Sequence, residues 1–147
     1  MKILLAIDDS KSSEAAIQAL ITQTQPKGTE VRVLHVIEPL PIAYSGGEWG
    51  YSVDWQKVIQ EQRKQAEVLV AQAADTLRSA GFTVKTAIED GSAKSIIVDS
   101  AAKWPADLIV VGSHGRKGLD RFLLGSVSEA VARHAPCSVQ IVRAAKS

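Results

Sequence analysis

Five short β-rich runs alternate with four helical patterns along 147 residues, and this alternation constrains the fold more than any other feature of the chain. The runs are Ile3–Asp8, Val31–Ile37, Phe82–Ile88, Leu108–Gly112 and Ser138–Val142. Strands joined by helical crossovers pair in parallel and bury their faces under the helices. The first helical pattern runs from Ser12 to Thr24, with Ala16, Ala19 and Leu20 on one face and Ser10 or Ser12 as N-cap. The longest runs from about Asp54 to Ala80. Its stripe is Val58, Ala66, Leu69, Val70, Ala73 and Leu77, and Gly81 stops it. A third spans Ser92 to Lys103 with Ile96, Ile97 and Ala101 inward. The fourth spans Ser126 to His134, after which Pro136 resets the chain for the last strand.

The strand order follows from how apolar each run is. The first and fourth are continuously apolar, as expected of strands covered on both faces. The third alternates, with Phe82, Val84 and Ile88 apolar while Thr83 and Lys85 are not, which suits a sheet edge. With right-handed crossovers the order becomes 3-2-1-4-5, giving a single three-layer α/β domain over residues 1–147 with a five-stranded parallel sheet. Ligands of such sheets sit where the strand order reverses, beyond the C-terminal strand ends. Here that point lies between the first and fourth runs, marked by Asp8 and Gly112.

The glycine loop falls at the same place. Residues 108–128 read LIVVGSHGRKGLDRFLLGSVS. The loop carries Gly112, Gly115 and Gly118, with His114, Arg116, Lys117 and Arg121 around them, and reaches Gly125-Ser126 where the last helical pattern begins. Glycines let backbone N–H groups approach a ligand closely. The following helix aims unpaired N–H groups and a positive dipole end at the same spot. Together these make a phosphate cradle. Its spacing, Gly-x2-Gly-x9-Gly-Ser, is neither that of a P-loop nor that of a dinucleotide-binding turn. A side chain at Gly125 is expected to block phosphate and to strain the local backbone.

Composition closes off other classes. A net charge of +1 gives no reason to expect nucleic acid or an anionic membrane as partner. Ile3–Ile7 is too short an apolar run for a signal peptide, and no run approaches the roughly 18 residues of a membrane span. Cys137 stands alone, which leaves no internal disulfide and no multi-cysteine metal site. A cytoplasmic location is expected. Residues 39–53, rich in Pro, Gly and aromatics, read as a long loop that serves as a lid, a partner surface or a plain connection.

With the glycine spacing go ILLAIDDS at the N-terminus, LHVIEP at the second run and APCSVQIVR at the end. In this combination, over essentially its whole length, the chain resembles the universal stress proteins. The resemblance implies an adenine-nucleotide-hydrolase-like fold and the branch of the family that binds ATP, or ADP or AMP, with Mg²⁺. It also implies a homodimer paired through the last strands, and a role in stress survival and signalling with an unidentified protein partner. By matched position, Asp8 lies near adenine and ribose, Ala6 and Ile7 run along the base, and the Val36 backbone meets the adenine edge. Gly112, Gly115, Gly125, Ser126 and Val127 offer N–H groups to the phosphates, Ser126 also its hydroxyl, while Val111, His114 and Arg116 complete the set. Asp9 stands where many members have glycine. Its charge at the pocket mouth either favours Mg²⁺ beside the phosphates or opposes the anion.

Plainer roles compete with these. Ser126-Val127-Ser128-Glu129 has the form of a capping box. Asp8 could cap the first helix, His35 pack within its strand, and His134 complement a helix dipole, while Cys137 reads as a small buried residue and the basic loop residues as ordinary surface. No side chain declares itself a general base beside the phosphates, so at most slow ATP hydrolysis is expected. Two other functions remain. One is a nucleotide-free dimeric scaffold. The other is an ATP-pyrophosphatase-like adenylating enzyme, which needs a Ser-Gly-Gly-x-Asp-Ser loop after the first strand. Here Ser45-Gly46-Gly47 follows the second run and leads to Glu48.

Overall fold

A computed structural model describes residues 1–39, 54–115 and 124–144. Strands β1 (Lys2–Ala6), β2 (Glu30–Ile37), β3 (Thr83–Asp90), β4 (Leu108–Gly112) and β5 (Ser138–Val142) alternate with helices α1 (Lys11–Gln23), α2 (Trp55–Ser79), α3 (Ala93–Lys103) and α4 (Ser126–His134). The strands form one sheet in the order β3-β2-β1-β4-β5. Every pairing is parallel, with Ile3 opposite Val31 on one side and Leu108 on the other. The expected topology holds.

The continuously apolar strands are explained by two cores. Ile3, Leu5 and Ile7 pack with Val31 and Val33 under α1 and α2, together with Leu20, Val70, Ala73 and Leu77. Leu4, Ala6 and Leu34 face the opposite way, against Ile97 and Ala101 of α3 and Val131 of α4. A central strand between two helical layers has no face left for polar residues. Of the stripe expected on α2, Val58 and Leu69 are only partly buried, while Ala74 joins the buried set.

Helix ends follow local chemistry. Ser10 caps α1, its hydroxyl accepting from the Ser13 amide at 3.1 Å. Gly81 ends α2 with φ +100°, its amide reaching Arg78 O at 2.9 Å and the Phe82 amide reaching Leu77 O at 3.1 Å. This double closure satisfies the last carbonyls and needs the left-handed conformation that glycine adopts without strain. The capping box at α4 does not form. Gly125 is the N-cap, so Ser126 is already helical, and Glu129 turns outward to Arg133 at 3.0 Å. The first strand is shorter than expected. Ile7 still donates to Leu34 O, but the Asp8 amide is taken by Ser13 Oγ at 2.9 Å and leaves the ladder.

The remaining plain readings hold in part. His35 Nδ1 lies 2.8 Å from Ile7 O, a packing histidine with its bond made. His134 is in the last turn of α4. Cys137 is partly buried against the α3/α4 core. Burial, with some repulsion from Asp107, pushes its thiol above the usual range, opposed by a hydrogen bond to the Ile109 backbone. No described helix is long and apolar enough to cross a membrane.

Candidate functional site

A cleft of about 1100 Å³ opens over the C-terminal ends of β1, β2 and β4, at the reversal of strand order. Its floor comes from Ala6 and Ile7 at the end of β1, Val36 near the end of β2, and Val111 and Gly112 at the end of β4. Asp8 follows on one side, with His114 and Gly115 on the next loop. Gly125, Ser126 and Val127 bring in the start of α4. Every site residue named from the sequence and described here therefore lines one space. Arg116 lies outside the described residues, as do Lys117, Gly118 and Arg121 and all of residues 40–53.

Asp8 is held firmly. Its Oδ1 accepts from the Ser10 amide at 2.9 Å and from Ser13 Oγ at 3.0 Å. It does not cap α1 itself but braces the residue that does. Its Oδ2 faces Gly115, where a Cβ would come within 2.9 Å of it. The carboxylate thus addresses the glycine loop rather than the β2 end of the cleft, where Val36 lies.

The loop after β4 is tied down from three sides. Gly112 meets α1 closely enough that a Cβ would lie 2.7 Å from the Ser12 carbonyl carbon. The Ser12 hydroxyl donates to His114 O. The Ser113 amide donates to Val142 O, the last residue of β5, at 2.8 Å. In turn Ser113 O accepts from the Gly125 amide at 2.8 Å and from Ser128 Oγ at 2.9 Å. This corrects one expectation, since the Gly125 N–H is spent inside the protein and is not free for a phosphate. It corrects a second as well. Gly125 has φ −65° and ψ 158°, open to any residue, so glycine is needed there for space. A Cβ would stand 2.9 Å from Ser113 O and 3.2 Å from His114 Cα.

What remains on offer is the exposed start of α4 at Ser126, the Val127 backbone beside it, and His114. Ser126 and Val127 are the first helical residues, whose amides have no partner within the helix. His114 Nδ1 lies 3.2 Å from Ser113 Oγ, while its Nε2 is buried with no hydrogen-bond partner among the described residues. A buried nitrogen left in this state calls for a partner beyond the described residues. No cluster of three or more His, Cys, Asp or Glu side chains suited to a metal occurs among the described residues.

Sequence reasoning missed Ser12, Ser113 and Ser128, whose hydroxyls fix the loop, and Gln62, Gln65 and Gln72, which place one side of α2 on the cleft. Ser128, two residues beyond Ser126, carried a signal in its place at the cap. The glutamines carried none, because nothing local says that the middle of α2 borders the cleft.

Fold and cleft define an α/β protein with an open cleft at the switch of strand order. The model of the universal stress protein family matches residues 1–143, and the chain belongs to that family. It is 34% identical over 143 residues to a putative universal stress protein of Staphylococcus haemolyticus, covering 96% of this chain and 83% of the relative. Among solved structures it resembles the hypothetical protein MJ0577, the subject of a structure-based assignment of biochemical function. There the TM-score is 0.85 with 30% identity, over 99% of this chain and 97% of that one. Two more distant likenesses carry nucleotides. One is a universal stress protein in complex with cAMP, at 24% identity and TM-score 0.66, over 99% of this chain and 98% of that one. The other is an Arabidopsis thaliana family member with AMP bound, at 19% and 0.73, over 99% and 92%.

Proposed function

We propose that this chain binds ATP with Mg²⁺ in the cleft and acts as a nucleotide-dependent regulator or sensor of the stress response. The observation that carries this reading is the meeting of Asp8, Val36 and the glycine loop around one cleft at the strand reversal. Adenine lies along Ala6 and Ile7 with its edge at the Val36 backbone. The phosphates lie over Gly112, Gly115 and the start of α4, where Ser126 and Val127 present amides and Ser126 its hydroxyl. Gly125 contributes by letting α4 approach the loop. Asp8, facing Gly115, meets the ribose or the phosphate-bound Mg²⁺. The cAMP and AMP bound by the two distant family members support an adenine ligand, and the exposed start of α4 leaves room for a longer phosphate chain. Arg116, one residue beyond Gly115, adds positive charge by sequence.

Catalysis in this reading is slow at most, because the cleft offers positioning without a dedicated base. The protein works in the cytoplasm with a protein partner, as a homodimer formed across the outer edge of β5, whose inner edge pairs with β4. Two copies related by a twofold axis satisfy both edges together. Isothermal titration with MgATP and MgGTP tests the ligand. Saturable heat with ATP and a weaker or absent response to GTP is expected. Equal affinity for both refutes the adenine preference, and no heat with either refutes the nucleotide reading and leaves the nucleotide-free scaffold.

A further inference from the structure

Of the two histidines on the cleft, His35 already has a partner for Nδ1 in Ile7 O, 2.8 Å away. His114 differs. Its Nε2 is buried without a partner among the described residues, while its backbone is fastened to Ser12 on both sides, the carbonyl accepting from the hydroxyl and the amide donating to it at 3.3 Å. The ring is therefore carried by a fixed backbone. The His114 Cα would lie 3.2 Å from a Cβ on Gly125, and the residue lines the cleft with Gly115, at the place assigned above to the phosphates.

We propose that His114 is the proton-linked element of this site: nucleotide phosphate completes Nε2, and the imidazole takes up a proton as the nucleotide binds. The inference rests on the nucleotide reading and adds its regulation. A phosphate oxygen beside an imidazole favours the charged form, and hydrogen bonds to charged partners are the stronger ones. The Nδ1 side accepts either state, because the Ser113 hydroxyl at 3.2 Å can donate to a bare Nδ1 or accept from a protonated one. Proton uptake on binding means that affinity falls as pH rises through the histidine range.

Charged side chains come from each of the neighbouring elements. The β1–α1 turn brings Asp8 and Asp9, with Lys11 and Glu14 at the start of α1. From α4 comes Glu129, which is paired with Arg133 at 3.0 Å. Arg143 follows Val142, the strand end bonded to Ser113. Arg116 and Lys117 come next in the sequence. His35 is the competing group, so the test has to separate the two rings.

MgATP is titrated into the whole protein from about pH 5.5 to about pH 8.5, in paired buffers of low and high ionisation enthalpy. The wild type should take up a fraction of a proton per nucleotide near neutrality, with its dissociation constant rising roughly three- to tenfold per pH unit at the steepest point. His114→Gln keeps an amide donor near the Nε2 position and cannot titrate. It should bind more weakly at low pH, lack the histidine share of proton uptake, and close the gap to wild type as pH rises. Ionisation of the terminal phosphate is common to both proteins and cancels in the comparison. Long-range ¹H–¹⁵N spectra of the wild-type imidazoles give a readout that needs no variant. There His114, and not His35, should move towards the imidazolium shift when ATP is added. Equal uptake by both proteins, or an unmoved His114 resonance, overturns the linkage while leaving ATP binding intact. No heat at any pH overturns both.

Discussion

Gly125 offers the sharpest test of how the cleft is built. Replacing it with valine places a Cβ 2.9 Å from Ser113 O and 3.2 Å from His114 Cα, with two methyl groups beyond. The atoms in the way are backbone, so the glycine loop and the start of α4 must separate. The backbone angles at this position are ordinary, and all of the cost is steric. Forcing extra atoms into a packed contact costs about 1–3 kcal/mol of stability. The separation also breaks or stretches the Gly125 amide bond to Ser113 O. For the ligand, moving α4 away from the loop means that one anion can no longer reach both. Losing two charge-assisted hydrogen bonds at about 1.5–3 kcal/mol each weakens ATP binding by roughly a hundredfold or more. Thermal melts and isothermal titration of Gly125→Val should show a native fold with a lowered midpoint and no detectable ATP heat. Gly125→Ala, whose Cβ meets the same Ser113 O at 2.9 Å but carries no methyl groups beyond it, should bind about tenfold more weakly than wild type. A valine variant that binds ATP within about threefold of wild type at an unchanged midpoint refutes the reasoning. If valine unfolds the chain, the alanine variant decides.

Three further outcomes are expected. Gly81→Ala should lower stability by about 1–2 kcal/mol in urea unfolding, since φ +100° suits glycine and a Cβ would press on Pro26 at 3.3 Å; an unchanged midpoint contradicts the helix-stop assignment. Ile141→Pro removes a strand donor and should shift light scattering from twice the chain mass towards the monomer, and a wild type that is monomeric at high micromolar concentration rules the β5 dimer out. The raised thiol of Cys137 stays protonated to higher pH in the fold than in the unfolded chain, so its contribution to stability is present at neutral pH and is lost as pH rises past the folded value. Alkylation by iodoacetamide at mildly alkaline pH should accordingly be slower in the native protein than in urea, and equal rates count against a burial effect.

Much of this architecture was legible because each strand carries its environment in its own residues. Ile3–Ile7 is apolar throughout since both faces are covered, and Lys85 between Val84 and Thr86 marks an outer strand. Glycine spacing located the cleft for a related reason, as close backbone approach leaves a direct trace in sequence. The reason for each glycine was less legible. Gly112 makes room for Ser12, 100 residues earlier in the chain, and Gly125 makes room for Ser113. Such pairs meet only after the sheet has formed. Likewise Ser126 looked like a cap because its type fits one, yet whether a residue is the cap or the first helical residue depends on where the preceding loop is pulled. Here the Ser113 carbonyl pulls it, through Gly125 and Ser128.

Ser113 faces two ways. Its amide is bonded to the last residue of β5 and its carbonyl to the first turn of α4. A residue whose two flanking peptide units are each gripped behaves as a stiff joint, because turning one unit to relieve its bond strains the bond of the other. Val142 is also where the outer strand ends, so a slip or splay of β5 against β4 would be felt by the glycine loop without any intervening side chain. Slow amide exchange at Ser113 and Gly125, lost together when β5 is loosened, would be the signature of that stiffness.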